Sequence, residues 1–245
     1  MKIGIIGGSG LEKGDILSSV QEIEVETPYG KHSPIKRGNI NNDEIYIISR
    51  HGYNHEITPS KVNNRANIYA LKKLKCEFII ATTAVGSLRE KIQPGDFVIA
   101  NQFIDFTKHR NITFYEDFKE GIKHTSLADP FSETLRQYLI ESCEELKINC
   151  HKIGTIITIQ GPRFSTRAES FMFRNFAHVI NMSTAPEAIL AKEAELEYAV
   201  VAMSTDYDCW KKNEISVTWE IIEKTMKQNL ENIKKLILKT IEKIS

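Results

Sequence analysis

Four apolar runs along this chain stop in chemically similar ways, and that repetition limits the folds open to it. Lys2-Ile-Gly-Ile-Ile6 runs into Gly7-Gly-Ser-Gly10, Glu44-Ile-Tyr-Ile-Ile-Ser49 into Arg50-His-Gly52, and Phe78-Ile-Ile-Ala-Thr-Thr-Ala-Val85 into Gly86-Ser-Leu88. The fourth, Leu196-Glu-Tyr-Ala-Val-Val-Ala-Met203, is followed by Asp206 and Asp208. Each run is short and rich in small or β-branched residues, which reads as a buried strand. Strands of this kind interleaved with helical patterns make an α/β sheet, and such sheets hold ligands beyond the carboxyl ends of their strands.

Three of these ends offer donors to an anion. The glycine-rich loop can turn its N–H groups onto a ligand, and Ser9 adds a hydroxyl. Its spacing fits neither a dinucleotide fingerprint nor a P-loop. Arg50 supplies a planar fork of donors and His51 is expected to add one more. A basic surface loop is the plainer reading there, with His55 and Lys61 close by. At the third end Thr82, Thr83 and Ser87 carry hydroxyls. Singly these signals are weak; their recurrence points to a phosphate-binding enzyme. At the fourth end, half-desolvated carboxylates can have raised pKa values and donate protons. On spacing alone, a solvated turn and a helix N-cap is the expected role of Asp206 and Asp208.

Between these ends the pattern is mostly helical or strand-like. Gln21–Val25 alternates like a strand, and Thr27-Pro-Tyr-Gly-Lys31 is turn chemistry. Apolar positions after Pro59 predict a helix to Lys75, and a second is predicted over 132–147. Residues 102–130 are aromatic, polar and irregular, longer than an ordinary connection, hence functional or an interface. Cys150–Ile159 reads as a strand, and 160–169 as a tight loop with two Arg, Phe164 and Ser165. Thr184 is a plausible N-cap for a helix to Leu196 with Glu187 at N3, so Glu187 is expected to cap, a ligand role near a sugar being the alternative. Trp219–Ile244 predicts a long amphipathic helix packed on the sheet.

Composition sets the compartment and excludes whole classes. Thirty-two Lys+Arg balance 32 Asp+Glu, so no global field draws in nucleic acid or an anionic membrane. No apolar stretch approaches the roughly 20 residues of a membrane span, and the first residues lack a secretory pattern. Four scattered cysteines show no zinc spacing and fit reduced thiols in a cytoplasmic protein. No repeat or linker divides residues 1–245, which are expected to form a single domain.

Taken in order, the motifs resemble the trimeric purine nucleoside phosphorylase family over nearly the whole chain. They are Ile5-Ile-Gly-Gly-Ser-Gly-Leu11, Arg50-His-Gly-x-x-His55, Pro59-Ser-Lys-Val-Asn63, Thr82-Thr-Ala-x-Gly-Ser-Leu-Arg89, Gln93-Pro-Gly-Asp96, Gly161-Pro-Arg-Phe-Ser165, Arg167-Ala-Glu-Ser-Phe-Met172 and Thr205-Asp-Tyr-Asp-Cys-Trp210. The resemblance implies a mixed, partly barrel-like sheet surrounded by helices. It implies phosphate bound by Ser9, Arg50, His51, Thr83, Ala84 through its N–H, and Ser183, with Ser165 close by. The sugar would meet Met182, and Phe164 would stack near a purine whose N7 and 6-amino edge face Asp206 and Asp208. His124 would enter from a neighbouring subunit of a homotrimer near the sugar 5′ end, where Val217 adds an apolar contact. The implied reaction is phosphorolysis of 5′-methylthioadenosine, with adenosine or another purine nucleoside as the alternative substrate. Phosphate is then a co-substrate, and no metal or organic cofactor is implied. Two departures matter. Ser9 and Ser183 stand where the family commonly has Thr, which keeps the hydroxyl. The chain also stops at Ser245, where many relatives continue into an apolar tail over the 5′ group, and Glu220 follows Val217 closely.

Overall fold

The computed structural model describes residues 1–7, 11, 14–119, 121–212 and 218–245. Ser9 and Val217, both expected in the site, lie outside the described residues. The centre is a parallel group of strands: β1 (Lys2–Gly7) lies between β4 (Asp43–Ser49) and β5 (Phe78–Ser87), and β11 (Glu197–Asp206) runs parallel to β5 on its other side. These are the four apolar runs read from the sequence. Because they run parallel, their carboxyl ends share one edge, and the Arg50 N–H donates to the Gly7 carbonyl at 3.1 Å.

Both faces of this group are covered, which explains why the runs are continuously apolar rather than alternating. Ile79 and Ala81 of β5 and Val200 and Ala202 of β11 pack in one core cluster with Ile68 and Leu71 of α1 (Asn64–Lys73) and Leu190 of α4 (Thr184–Glu193). Their neighbours Ile80, Ala199 and Val201 point the other way. They meet Leu135 and Leu139 of α2 (Glu133–Glu145) and Leu236 and Ile237 of α5 (Trp219–Ile244). Period-two alternation thus sorts one apolar sequence into two cores.

The remaining strands extend the sheet from both flanks. Antiparallel β2 (Ser18–Ile23) and β3 (Ile35–Ile40) continue from β4. The far half of β5 pairs antiparallel with β10 (Val179–Asn181), which leads to β9 (Thr155–Ile159) and β7 (Gln102–Phe106). From β11 the sheet runs to β6 (Phe97–Ile99) and β8 (Cys150–His151). It therefore branches at β5, and among the described residues it is not closed.

Several expected boundaries shift. The segment after Pro59 opens as a 3-10 turn over Pro59–Lys61, and α1 starts only at Asn64, capped by the Asn63 side chain. Ile35–Ile40, with its two basic residues and a glycine, was not expected as a strand. The expected strand over 150–159 is two strands, interrupted at 152–154. The irregular aromatic segment begins as β7, and the loop through Phe164 ends in α3 (Arg167–Phe173), fixed by a Thr166–Glu169 capping box. The N-cap of α4 is Ser183 rather than Thr184.

Candidate active site

Beyond the shared strand edge lies a cavity of about 260 Å³. Arg50, His51, Thr83, Ala84 and Ser183 line it together with Asp206, Asp208, Phe164, Ser165 and Met182. Residues 50 to 208 in sequence are brought together because β4, β5 and β11 end side by side.

At the first end the donors are held by buried neighbours. Arg50, 2% exposed, is gripped by Glu187, 1% exposed, through Nε to Oε1 and through Nη2 to Oε2 at 3.1 Å. Nη1 also donates to the Thr82 carbonyl at 3.0 Å, and the Tyr198 hydroxyl donates to Glu187 Oε2 at 2.9 Å. Glu187 therefore neither caps α4 nor meets a sugar; it orients an arginine 137 residues away. Thr83 Oγ1 and Ser183 Oγ lie 3.2 Å apart. Ser183 stands at the N-cap of α4 yet makes no side-chain cap bond, which leaves its hydroxyl to the cavity. Thr82 and Ser87 do not join this group. Thr82 contributes its carbonyl to Arg50, and Ser87 closes a turn onto the Arg89 carbonyl at 2.8 Å.

His51 departs from the role of donor. Its Nδ1 lies 2.8 Å from the Ile57 carbonyl, which can only accept, so the proton sits on Nδ1. Burial, with the Arg50 charge beside it, pulls the imidazole pKa down to about 3. The ring is thus neutral near pH 7 and presents Nε2 as an acceptor, suited to a protonated oxygen of an oxyanion.

At the other end the expected solvated turn is absent. A register shift between Ser204 and Asp206 marks a bulge at the end of β11, which re-aims the side chain that follows. Asp206 Oδ2 accepts from the Thr205 hydroxyl at 2.7 Å, and Oδ1 from the Asp208 N–H at 2.7 Å. Burial raises its pKa to about 6 against the pull of these two donors. Asp208 sits at φ 50° and is itself raised by burial, opposed by the Ser170 hydroxyl that donates to Oδ2. Both carboxyls press on Gly86, where an added Cβ would lie 3.1 Å from Asp206 Oδ1 and 3.2 Å from Asp208 Cβ. A side chain there would need these neighbours to give by a few tenths of an ångström.

A third wall is apolar. Trp219, Ile222 and Met226 share one face of the first turns of α5 and line the cavity with Pro59 and His55. His55 stacks on His51 at 4.6 Å between ring centroids and lies 4.6 Å from Trp219. The sequence reading gave this helix only to the sheet; the spacing at 219, 222 and 226 was the signal for a second role. Glu220, exposed and carrying a side-chain hydrogen bond from Thr218, is not part of this wall.

The profile of the phosphorylase superfamily matches residues 2–242. The chain belongs to that superfamily. S-methyl-5'-thioadenosine phosphorylases of Danio rerio and Xenopus tropicalis are each 50% identical to it, and each alignment covers all of this chain and 89% of the relative. The Pyrococcus abyssi enzyme of the same name is 48% identical over 99% of this chain and 93% of its own. Among solved structures, methylthioadenosine phosphorylase from Schistosoma mansoni in complex with adenine superposes with a TM-score of 0.94 at 38% identity, covering 100% of this chain and 92% of that one. A single-substitution variant, described as an adenosine/methylthioadenosine phosphorylase and holding methylthioadenosine, gives 0.93 at 38% identity, with 100% and 91% coverage.

Within this superfamily member, His124 stands apart from the cavity of its own chain. It is exposed and packs edge-on against Phe118 at 5.6 Å. Among the described residues no group of His, Cys, Asp and Glu is arranged to hold a metal ion, and no helix is long and apolar enough to cross a membrane.

Proposed function

We propose that this chain cleaves 5′-methylthioadenosine with inorganic phosphate, giving adenine and 5-methylthioribose 1-phosphate. One observation carries the reading: a single cavity is lined by anion-suited donors, two carboxyls raised by burial, and an apolar wall. Phosphate held by Arg50, Thr83, Ser183, the Ala84 N–H and, from outside the described residues, Ser9 faces C1′ from the side opposite the base. The C1′–N9 bond breaks as positive charge grows on the sugar, and a phosphate oxygen forms the new bond to C1′. Fixed donors around that phosphate supply positioning and electrostatic stabilisation.

The departing adenine takes the C–N electron pair and needs a proton at N7. Asp206 in its protonated form delivers it, general acid help worth about 100- to 10,000-fold. Ionised Asp208 accepts from the 6-amino group. An acceptor at Asp208 suits a 6-amino purine, whereas a 6-oxo purine needs a donor at that edge. Phe164 stacks near the base and Met182 meets the ribose hydroxyls. The wall of Trp219, Ile222 and Met226 takes the methylthio group, with Val217, outside the described residues, as a further candidate contact. No step in this scheme calls for a metal or organic cofactor.

The same scheme assigns His124 to the 5′ end of a neighbouring subunit's site in a homotrimer. Exposed Phe164 at the cavity, Phe171 and Met172 on α3 and Phe176 just after it are the kind of surface such an assembly covers. The name borne by the Schistosoma enzyme keeps adenosine as a second substrate to test. Base release from 5′-methylthioadenosine, adenosine and inosine, with and without phosphate, distinguishes these readings. Phosphate-dependent adenine release fastest from methylthioadenosine is the expected result; release without phosphate, or faster cleavage of inosine, overturns the proposal.

A further inference from the structure

We infer that Asn181, on β10, is a positioning residue for phosphate: its amide sets the direction in which the Thr83 hydroxyl donates. This rests on the phosphate site proposed above and deepens it. Asn181 is 6% exposed and lines the cavity beside Thr83 and Ser183. Its Nδ2 donates to Thr83 Oγ1 at 3.2 Å and to Thr184 Oγ1 at 2.6 Å, with Ser183 Oγ at 3.5 Å. Its Oδ1 accepts from Thr158 Oγ1 at 2.9 Å, and Thr158 Oγ1 in turn accepts from the Ala185 N–H at 3.1 Å.

The order of donors follows from this chain. Thr158 accepts a hydrogen bond from the backbone of α4 and donates its own to Asn181 Oδ1, which fixes the amide with its NH2 group toward the site. A hydroxyl that accepts from that NH2 has its single proton left to donate elsewhere. For Thr83 the neighbours are the Ala84 carbonyl at 3.1 Å and Ser183 Oγ at 3.2 Å. A phosphate oxygen is a stronger acceptor than either. With the amide reversed, Oδ1 would draw the hydroxyl protons back and leave lone pairs facing an anion. Asn181 thus makes the neutral Thr83 hydroxyl into a donor without adding a charge.

The test is steady-state kinetics with phosphate and methylthioadenosine varied separately. Asn181→Asp replaces the NH2 with an acceptor and should raise the phosphate KM about 100-fold, the range of hydrogen bonds to charged groups. That deficit should shrink as pH falls and the introduced carboxyl takes up a proton. Asn181→Ala should raise the phosphate KM about 10-fold, with the nucleoside KM nearly unmoved in both variants. Thr83→Val serves as the control for the site itself, and Asn181→Ala should add little on that background, because both changes remove one interaction. Thr158→Val, which frees the amide to reverse, should reproduce a smaller selective loss if the Asn181 variants fold poorly. Phosphate-independent wild-type turnover, or an unchanged phosphate KM in Thr83→Val, would overturn the site reading and this inference together. A raised phosphate KM in Thr83→Val, with Asn181 and Thr158 variants that shift neither constant or both alike, overturns the inference alone.

Discussion

The two ends of the cavity handle buried charge in opposite ways. At the anion end the Arg50 cation is met by the Glu187 carboxylate, two backbone carbonyls and, through Glu187, the Tyr198 hydroxyl. At the purine end Asp206 and Asp208 receive hydroxyl and N–H donors, with no cation among the groups that shift them. A compensated charge keeps its ionisation and gains a fixed direction, which suits binding. An uncompensated carboxyl is forced toward its neutral form, which suits giving up a proton at the right moment. Under the proposed scheme, geometry is fixed where the ligand arrives charged and charge is left adjustable where electrons must be collected.

The sharpest way to break this comparison is at Asp206. Asp206→Asn keeps the shape and removes the proton, so kcat should fall about 100- to 10,000-fold in a base-release assay. An undiminished rate would remove the general acid from the scheme. At the opposite end Glu187→Gln leaves a buried arginine without its counter-charge. That should cost about 3–5 kcal/mol in chemical denaturation, together with a raised phosphate KM. Stability lost with phosphate affinity intact would mean that Glu187 supports the fold and not the donor.

The pH dependence sharpens the contrast. Asp206 has a folded pKa of about 6, above the ordinary aspartate value of 3.8. Its favourable contribution is therefore complete below about pH 4 and is lost as pH rises through 6. Asp206→Asn should match wild type at low pH and exceed it above pH 6 by up to about 3 kcal/mol, read as a gap in thermal midpoint that opens across that window. A gap constant with pH would contradict the raised pKa. A smaller effect is expected at Ser170→Ala, which strips Asp208 of its hydroxyl donor. Discrimination for 6-amino over 6-oxo nucleosides should weaken by about 1.5–3 kcal/mol in ratios of kcat/KM. Smallest is Ile222→Ala on the apolar wall, expected to reduce the preference for methylthioadenosine over adenosine by roughly 10-fold.

What could be read from the chain alone follows from the range of each interaction. The four strands and their donor-bearing ends are local patterns, and parallel pairing then brings Arg50, Thr83 and Asp206 together. Glu187 was misread because a carboxylate three residues into a helix looks like a cap, whereas its partner is 137 residues distant. Asp206 and Asp208 looked solvated because nothing adjacent in sequence buries them. Their cover comes from β5, through Gly86, and from Ser170 of α3, a helix that read as loop. Donor direction at His51 was equally illegible, since it depends on which carbonyl Nδ1 meets.

Strand β5 has a further consequence. Thr83 and Ala84 face the anion end and Gly86 lies beneath the carboxyls, all on one uninterrupted strand that pairs with β11 along this stretch and, on its other side, with β1 before it and β10 from Gly86. From Thr83 to Gly86 is three residues, about 10 Å at strand spacing. The strand therefore works as a ruler that sets the gap between nucleophile and leaving group. A one-residue deletion within it would shorten that gap by about 3.3 Å and turn one set of groups to the opposite face. The reach of the reaction is written in the length of one strand.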